Sequence, residues 1–224
     1  MSDETLHLDS LIRGSDLDRW LSSRFIGDLA ARADVIALYA YDHELARAPK
    51  VASNPLLGEI RLTWWREMLD EAFEGRPVRR HPTAQALAGV IARRGLARAP
   101  LEAMIDGRYR ELDAAPMTEL EALDWARDCG GQTAALAVEI LDPNAQSEFA
   151  LAAGSAWALS RRVTDAPELA PALRHTLTAA RTAVRHLSAA AFPAVAHAAL
   201  VGRRPASEVH RRLRLTVAVA RGRI

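Results

Sequence analysis

Apolar and polar positions recur with a helical period along most of this chain. The densest stretch runs from Ile36 to Glu74, IALYAYDHELARAPKVASNPLLGEIRLTWWREMLDEAFE. From Val35 to Tyr41 the residues are apolar or aromatic almost all round, the pattern of a buried helix. Asp28 is placed to cap that helix, which is expected to run to about Arg47, ahead of Pro49. A second helix follows a Ser-Asn-Pro punctuation, with Asn54 as N-cap and Pro55 as first helical residue. Its predicted core stripe is Leu57, Ile60, Trp64 and Met68, widened by Trp65, Leu69 and Phe73. Glu59, Thr63, Arg66, Asp70 and Glu74 take the other face.

The remaining pattern predicts helices throughout. Residues 1–14 are polar and expected to be loose, and a short helix follows from Asp16 to Phe25. Gly75 suits the end of the Trp-rich helix, His81-Pro82-Thr83 opens the next, and Pro100 another. Thr118 with Glu121 forms a capping box before a helix running to about Leu141. Gly130-Gly131 in its middle predicts a close backbone approach or a kink. Helices are further expected over about 146–163, 171–190 and 193–201, with Ser207 capping a last one to Arg221. The fold class is therefore all-α, a single-domain antiparallel bundle over residues 15–224.

Composition narrows the function. A length of 224 residues supports one sizeable core, and a net charge of +1 offers no general attraction for nucleic acid. The single Cys129 excludes an internal disulfide framework, and no apolar run approaches the roughly 18 residues of a membrane span. The opening MSDETLHLDS has no basic-then-apolar signal pattern. These features predict a cytoplasmic protein, with a peripheral place on the inner membrane left open. No Ser/His/Asp or Cys/His set, zinc spacing or Gly-rich phosphate loop is present.

The order of several landmarks resembles the squalene/phytoene synthase family. They are Ala37-Leu38-Tyr39-Ala40-Tyr41, Arg61 with Trp65-Arg66-Glu67 and Leu69-Asp70, and His81-Pro82. Then come Leu87, Ile105-Asp106-Gly107 with Glu111-Leu112-Asp113, Gly130, and Gly154-Ser-Ala156 with Leu159. The resemblance implies the all-α isoprenoid synthase fold. In active members it also implies two aspartate-rich clusters holding Mg²⁺, which neutralises substrate diphosphates so that pyrophosphate can leave.

This sequence departs at both clusters. The acidic positions of the first fall on Ala46, Arg47 and Lys50. Asp42 and Glu44 lie nearby but about 200° apart around a helix. In the second, Arg161 takes the usual asparagine position and Leu169 replaces an aspartate, leaving Asp165 and Glu168 as weak metal candidates beside Pro167. The chain after residue 168 also looks shortened beside the family's longer C-terminal half. Relatives that lack the aspartate clusters and assist respiratory complex I assembly resemble it at His43-Glu44-Leu45-Ala46-Arg47 and Trp64-Trp65. The degraded motifs favour a non-catalytic pseudoenzyme, a binding or assembly protein of the complex I assembly type, with no cofactor. The alternative is a Mg²⁺-dependent prenyltransferase condensing farnesyl or geranylgeranyl diphosphate in terpenoid or carotenoid biosynthesis.

Arg47, Lys50 and Arg61 are candidate phosphate ligands. Tyr39, Tyr41, Trp64 and Trp157 are candidates to line a cavity for a prenyl lipid. Glu67, Asp70, Glu71 and Glu74 read first as a solvated helix face, as do Asp106, Arg110 and Asp113. From Arg203 to Ile224 there are seven arginines and one acid, Glu208. With Val209, Leu213, Val217 and Ala220 as an apolar stripe, Ser207–Arg221 reads either as a basic amphipathic helix for an anionic membrane surface or acidic partner, or as a seal on its own core.

Overall fold

A computed structural model describes residues 3–50, 54–202 and 207–224, with side chains from Thr5 onward. The molecule is organised around α3 (Leu29–Lys50), whose start is held by Asp28 accepting hydrogen bonds from the Ala30 and Ala31 N–H groups at 2.8 and 3.3 Å. Every residue from Asp34 to Asp42 is buried, because α1, α4, α5, α6 and α8 all pack against this helix. Pro49 lies inside its last turn, so the helix outlasts the predicted end at Arg47 by three residues.

From Asp3 onward the N-terminal segment is helical, against the expectation of a loose start. It forms α1 (Asp3–Ser15), which lays Leu8 and Ile12 into the core against α3. The spacing of Leu8, Leu11 and Ile12 is a short helical stripe within a polar stretch, and tertiary contact stabilises it. Asp9 adds polar ties, accepting from the Trp20 indole at 3.0 Å and from Arg24 at 2.7 Å. The short α2 (Leu17–Ser23) follows under an Asp16 cap.

The Trp-rich α4 (Pro55–Phe73) starts at Asn54 as expected, its side chain accepting from the Leu57 N–H at 3.0 Å. The buried face is different from the predicted one. It consists of Gly58, Leu62, Trp65, Met68 and Leu69, while Ile60 is 55% exposed, Leu57 is 40% exposed and Trp64 is half-buried. Too many apolar residues surround this helix for periodicity to choose a face. Close approach chooses it: at Gly58 the missing side chain leaves room for Leu112.

The chain continues through α5 (Pro82–Arg94), α6 (Arg98–Tyr109), α7 (Glu119–Ala126) and α8 (Gln132–Leu141). Thr118 and Glu121 form the capping box of α7, and a π-helical turn over Arg127–Gly131 joins α7 to α8. In that turn Gly130 meets Gly154 of α9 (Leu151–Arg162) backbone to backbone. A Cβ on either glycine would collide with the other's carbonyl oxygen.

After α10 (Ala170–Ala183) the expected helix over 193–201 is replaced by 3-10 turns at Phe192–Ala194 and Ala196–Leu200. Pro193 withholds an N–H, and its carbonyl accepts from the buried Ser22 hydroxyl at 2.7 Å instead of continuing a helix. The last helix, α11 (Glu208–Arg221), has Ser207 as its cap and ends at Gly222 in the left-handed region. Leu8 and Ile12 of α1 belong to the same core cluster as Leu215 and Ala218 of α11. Among the described residues there is no strand, and no helix is long and apolar enough to cross a membrane.

Candidate functional site

The inward face of α3 brings Asp42 to the interior one turn beyond Tyr39. Asp42 accepts from Arg19 Nη1 of α2 at 2.5 Å and from Arg108 Nη2 of α6 at 2.8 Å. Arg108 Nη1 in turn donates to Glu111 Oε1 at 2.6 Å, which also receives the Trp125 indole at 2.8 Å. Arg162 of α9 stands 3.6 Å from the other Glu111 oxygen. Arg19 also reaches Asp16, at 3.9 Å. Three arginines and three carboxylates thus run in a chain from α2 through α3 and α6 to α9.

Burial shapes the chemistry of these groups. Desolvation pushes the Asp42 carboxyl up, but the charges of Arg19 and Arg108, and then their hydrogen bonds, outweigh it and hold it below the usual carboxylate value. Asp16 goes the other way, because desolvation exceeds the pull of Arg19 and Arg161. Burial raises the Tyr39 hydroxyl above its ordinary range and pushes the Cys129 thiol up to about 12, making it a poor nucleophile. His197, in the 3-10 turn beside Trp157, is held well below 6.5 by desolvation and by the charges of Arg19 and Arg161, so it stays neutral.

A cleft of about 480 Å³ between α2, α9 and α11 is lined by Asp18, Trp157, Ser160, Arg161, Thr164 and Arg211, among others. Trp157 joins the cleft to the network. Arg161 covers one side of that ring at 4.7 Å and Arg19 packs on it at 4.1 Å. Arg211 is paired with Asp18, so Arg161 is the cation on the wall with no ion-pair partner among the described residues.

The residues singled out from the sequence are scattered by the fold. Tyr39 and Trp157 both pack against Arg19, whose guanidinium lies 5.1 and 4.1 Å from their ring centres. Tyr41 and Trp64 belong instead to an aromatic cluster with Trp65 and His81, and the Tyr41 hydroxyl donates to the Leu101 carbonyl at 3.0 Å. Arg47 is exposed at the end of α3 and engages Glu44 at 3.1 Å. Lys50 and Arg61 are exposed on α3 and α4, and none of the three lines the cleft. Asp165 and Glu168 are exposed in the turns after α9. Among the described residues no three His, Cys, Asp or Glu side chains are grouped so that they could hold a metal ion.

The acidic run on α4 is spent on ion pairs. Glu67 and Glu71 engage Arg79, Asp70 engages Arg98, and Glu74 engages Arg76. Arg19, Arg108, Glu111 and Arg162 were not legible as a set. Glu111 stood among the landmarks of the family resemblance, and the signal for the arginines is Asp42, an acid closing an apolar run, which burial obliges to find cationic partners.

Residues 12–177 match the family model described as squalene/phytoene synthase. The chain belongs to that family. Two curated proteins similar to it are NADH dehydrogenase (ubiquinone) complex I, assembly factor 6, from Bos taurus and from Homo sapiens. Each is 26% identical over 132 residues, a match spanning 58% of this chain and 39% of the relative. Among solved structures, a dehydrosqualene synthase in complex with ligand superposes with a TM-score of 0.78 at 14% identity, covering 97% of this chain and 95% of that one. The squalene synthase HpnC from Alicyclobacillus acidocaldarius superposes with a TM-score of 0.63 at 15% identity, covering 98% and 90%. At these identities the structural likeness is one of fold.

Proposed function

We propose that this chain is a non-catalytic member of the squalene/phytoene synthase family that serves as an assembly protein for respiratory complex I, as its curated relatives are named. The observation that carries the reading is the state of Asp42. This buried carboxylate of the central helix is claimed by two arginines, so its oxygens are not free as those of a Mg²⁺-binding carboxylate must be. Glu111 is likewise occupied by Arg108, Arg162 and Trp125. Arg47 and Lys50 stand where the family's first acidic cluster falls, and like charges repel a metal ion. Asp165 and Glu168 are exposed and, among the described residues, have no third ligand grouped with them. These residues do not fit a Mg²⁺–diphosphate clamp, and no catalytic step is derived through one. The intended partner is a protein of the complex, met at a membrane by a peripheral cytoplasmic chain.

The test has two arms. Purified protein given Mg²⁺ with farnesyl or geranylgeranyl diphosphate should release no pyrophosphate above background. Stoichiometric release that disappears in Asp165→Ala would establish the prenyltransferase alternative. In cells lacking the gene, assembled complex I on native gels should fall and be restored equally by the parent and by Asp165→Ala. Unchanged complex I would remove the assembly role.

A further inference from the structure

The expected apolar stripe of α11 is present, and it faces outward. The helix docks through its opposite face, where Leu215 and Ala218 are buried against the 3-10 turn at Ala196–Leu200 and against α2, and Arg211 pairs with Asp18. Val209 is 72% exposed, Leu213 60% and Val217 40%, and Ala220 is exposed beside them. At 100° per residue these four side chains occupy a sector about 80° wide. One isolated exposed leucine is ordinary, but a surface helix needs only one apolar face, and this one has two.

The charges border the outer stripe. Arg212 lies on one edge and is paired with Glu208. Arg214 and Arg221 lie on the other, and with Arg223 they have no carboxylate partner among the described residues. The whole chain carries a net charge of only +1, so this concentration is local.

The geometry points to this outer face of α11 as a docking surface for an anionic lipid bilayer. The stripe is shallow and aliphatic on a convex helix, and it lacks the aromatic and methionine anchors that concentrate binding energy in protein interfaces. A planar headgroup layer fits it. The Val209, Leu213 and Val217 side chains enter the acyl boundary, while the long arginine stems lie along the interface and carry their guanidinium groups to lipid phosphates. Arg211 takes no part, because its charge is spent on Asp18. The inference is independent of whether the chain is catalytic.

Co-sedimentation of the full chain with vesicles tests it. Vesicles of phosphatidylglycerol and phosphatidylcholine in equal parts should capture the protein about tenfold better than phosphatidylcholine alone, and the difference should collapse when salt is raised well past physiological strength. Leu213→Asp should lower capture about tenfold. Arg214→Gln with Arg221→Gln should lower it severalfold. Both variants should keep the parental far-UV spectrum and thermal midpoint, because the altered side chains are exposed. Absence of capture by anionic vesicles overturns the proposal, including the case where an acidic protein binds the same face instead. Parental capture by folded Leu213→Asp overturns it as well.

Discussion

Taking Asp42 out of water raises the energy of its carboxylate, and Arg19 and Arg108 offset that through two hydrogen bonds and their charges. His197 shows the other outcome of burial. Neither of its ring nitrogens has a hydrogen-bond partner among the described residues, and desolvation with the charges of Arg19 and Arg161 keeps the ring neutral. The consequence for stability has a definite sign. Below pH 6.5 the unfolded chain gains a proton at this residue and the folded chain does not, so stability is lost as pH falls. One such proton gives a limiting slope of about 1.4 kcal/mol per pH unit. His197→Leu should remove that contribution. In urea titrations at pH 6.5 and 5, the parent should lose about 1–2 kcal/mol more than the variant. Equal losses would mean that His197 protonates in the folded state.

At the scale of elements, α9 packs against the π-helical turn through a glycine on each side. Gly130 and Gly154 bring the two backbones together, with Ala158 and Ala134 also close enough to exclude a Cβ. The π-helical turn keeps the backbone helical from α7 into α8 at this contact. Gly154→Ala should force the helices apart and destabilise the fold by about 1–3 kcal/mol, or more if the backbones cannot move. Gly14→Ala, where a Cβ would meet nothing within 4 Å, is the control and should lack that penalty. Equal effects in chemical denaturation would show that the close approach is not maintained. The sequence made the glycine pair conspicuous because two adjacent glycines inside a helical pattern need a reason. It did not show the partner, since Gly154 is one small residue among many in an alanine-rich helix.

For the whole molecule, the first and last helices share one core. Ile12 of α1 is fully buried in the cluster that also holds Leu215 of α11. Ile12→Ala should therefore lower global stability by about 2–5 kcal/mol, as a cavity in any part of the core would. It should shift a single cooperative transition without splitting it. A loose N-terminal segment predicts no change, so an unmoved denaturation midpoint would detach α1 from the core. The same packing sets the faces of α4 and α11. Each carries more apolar residues than its contact needs, and the surplus, Leu57 and Ile60 on one and Val209 and Leu213 on the other, lies outside.

What the sequence alone determined is local. Helix starts at Asp28, Asn54, Thr118 and Ser207, and the helix end at Gly75, rest on cap chemistry within a few residues, and all are present. The helical period carried the fold class. Only the tertiary structure decided which face of α4 and α11 turns inward, whether α1 is held, and which groups surround Asp42. Its two arginines lie 23 and 66 residues away along the chain. Periodicity says that a face exists. Burial is conferred by neighbours distant in sequence, and both packing direction and charge pairing follow from where those neighbours stand.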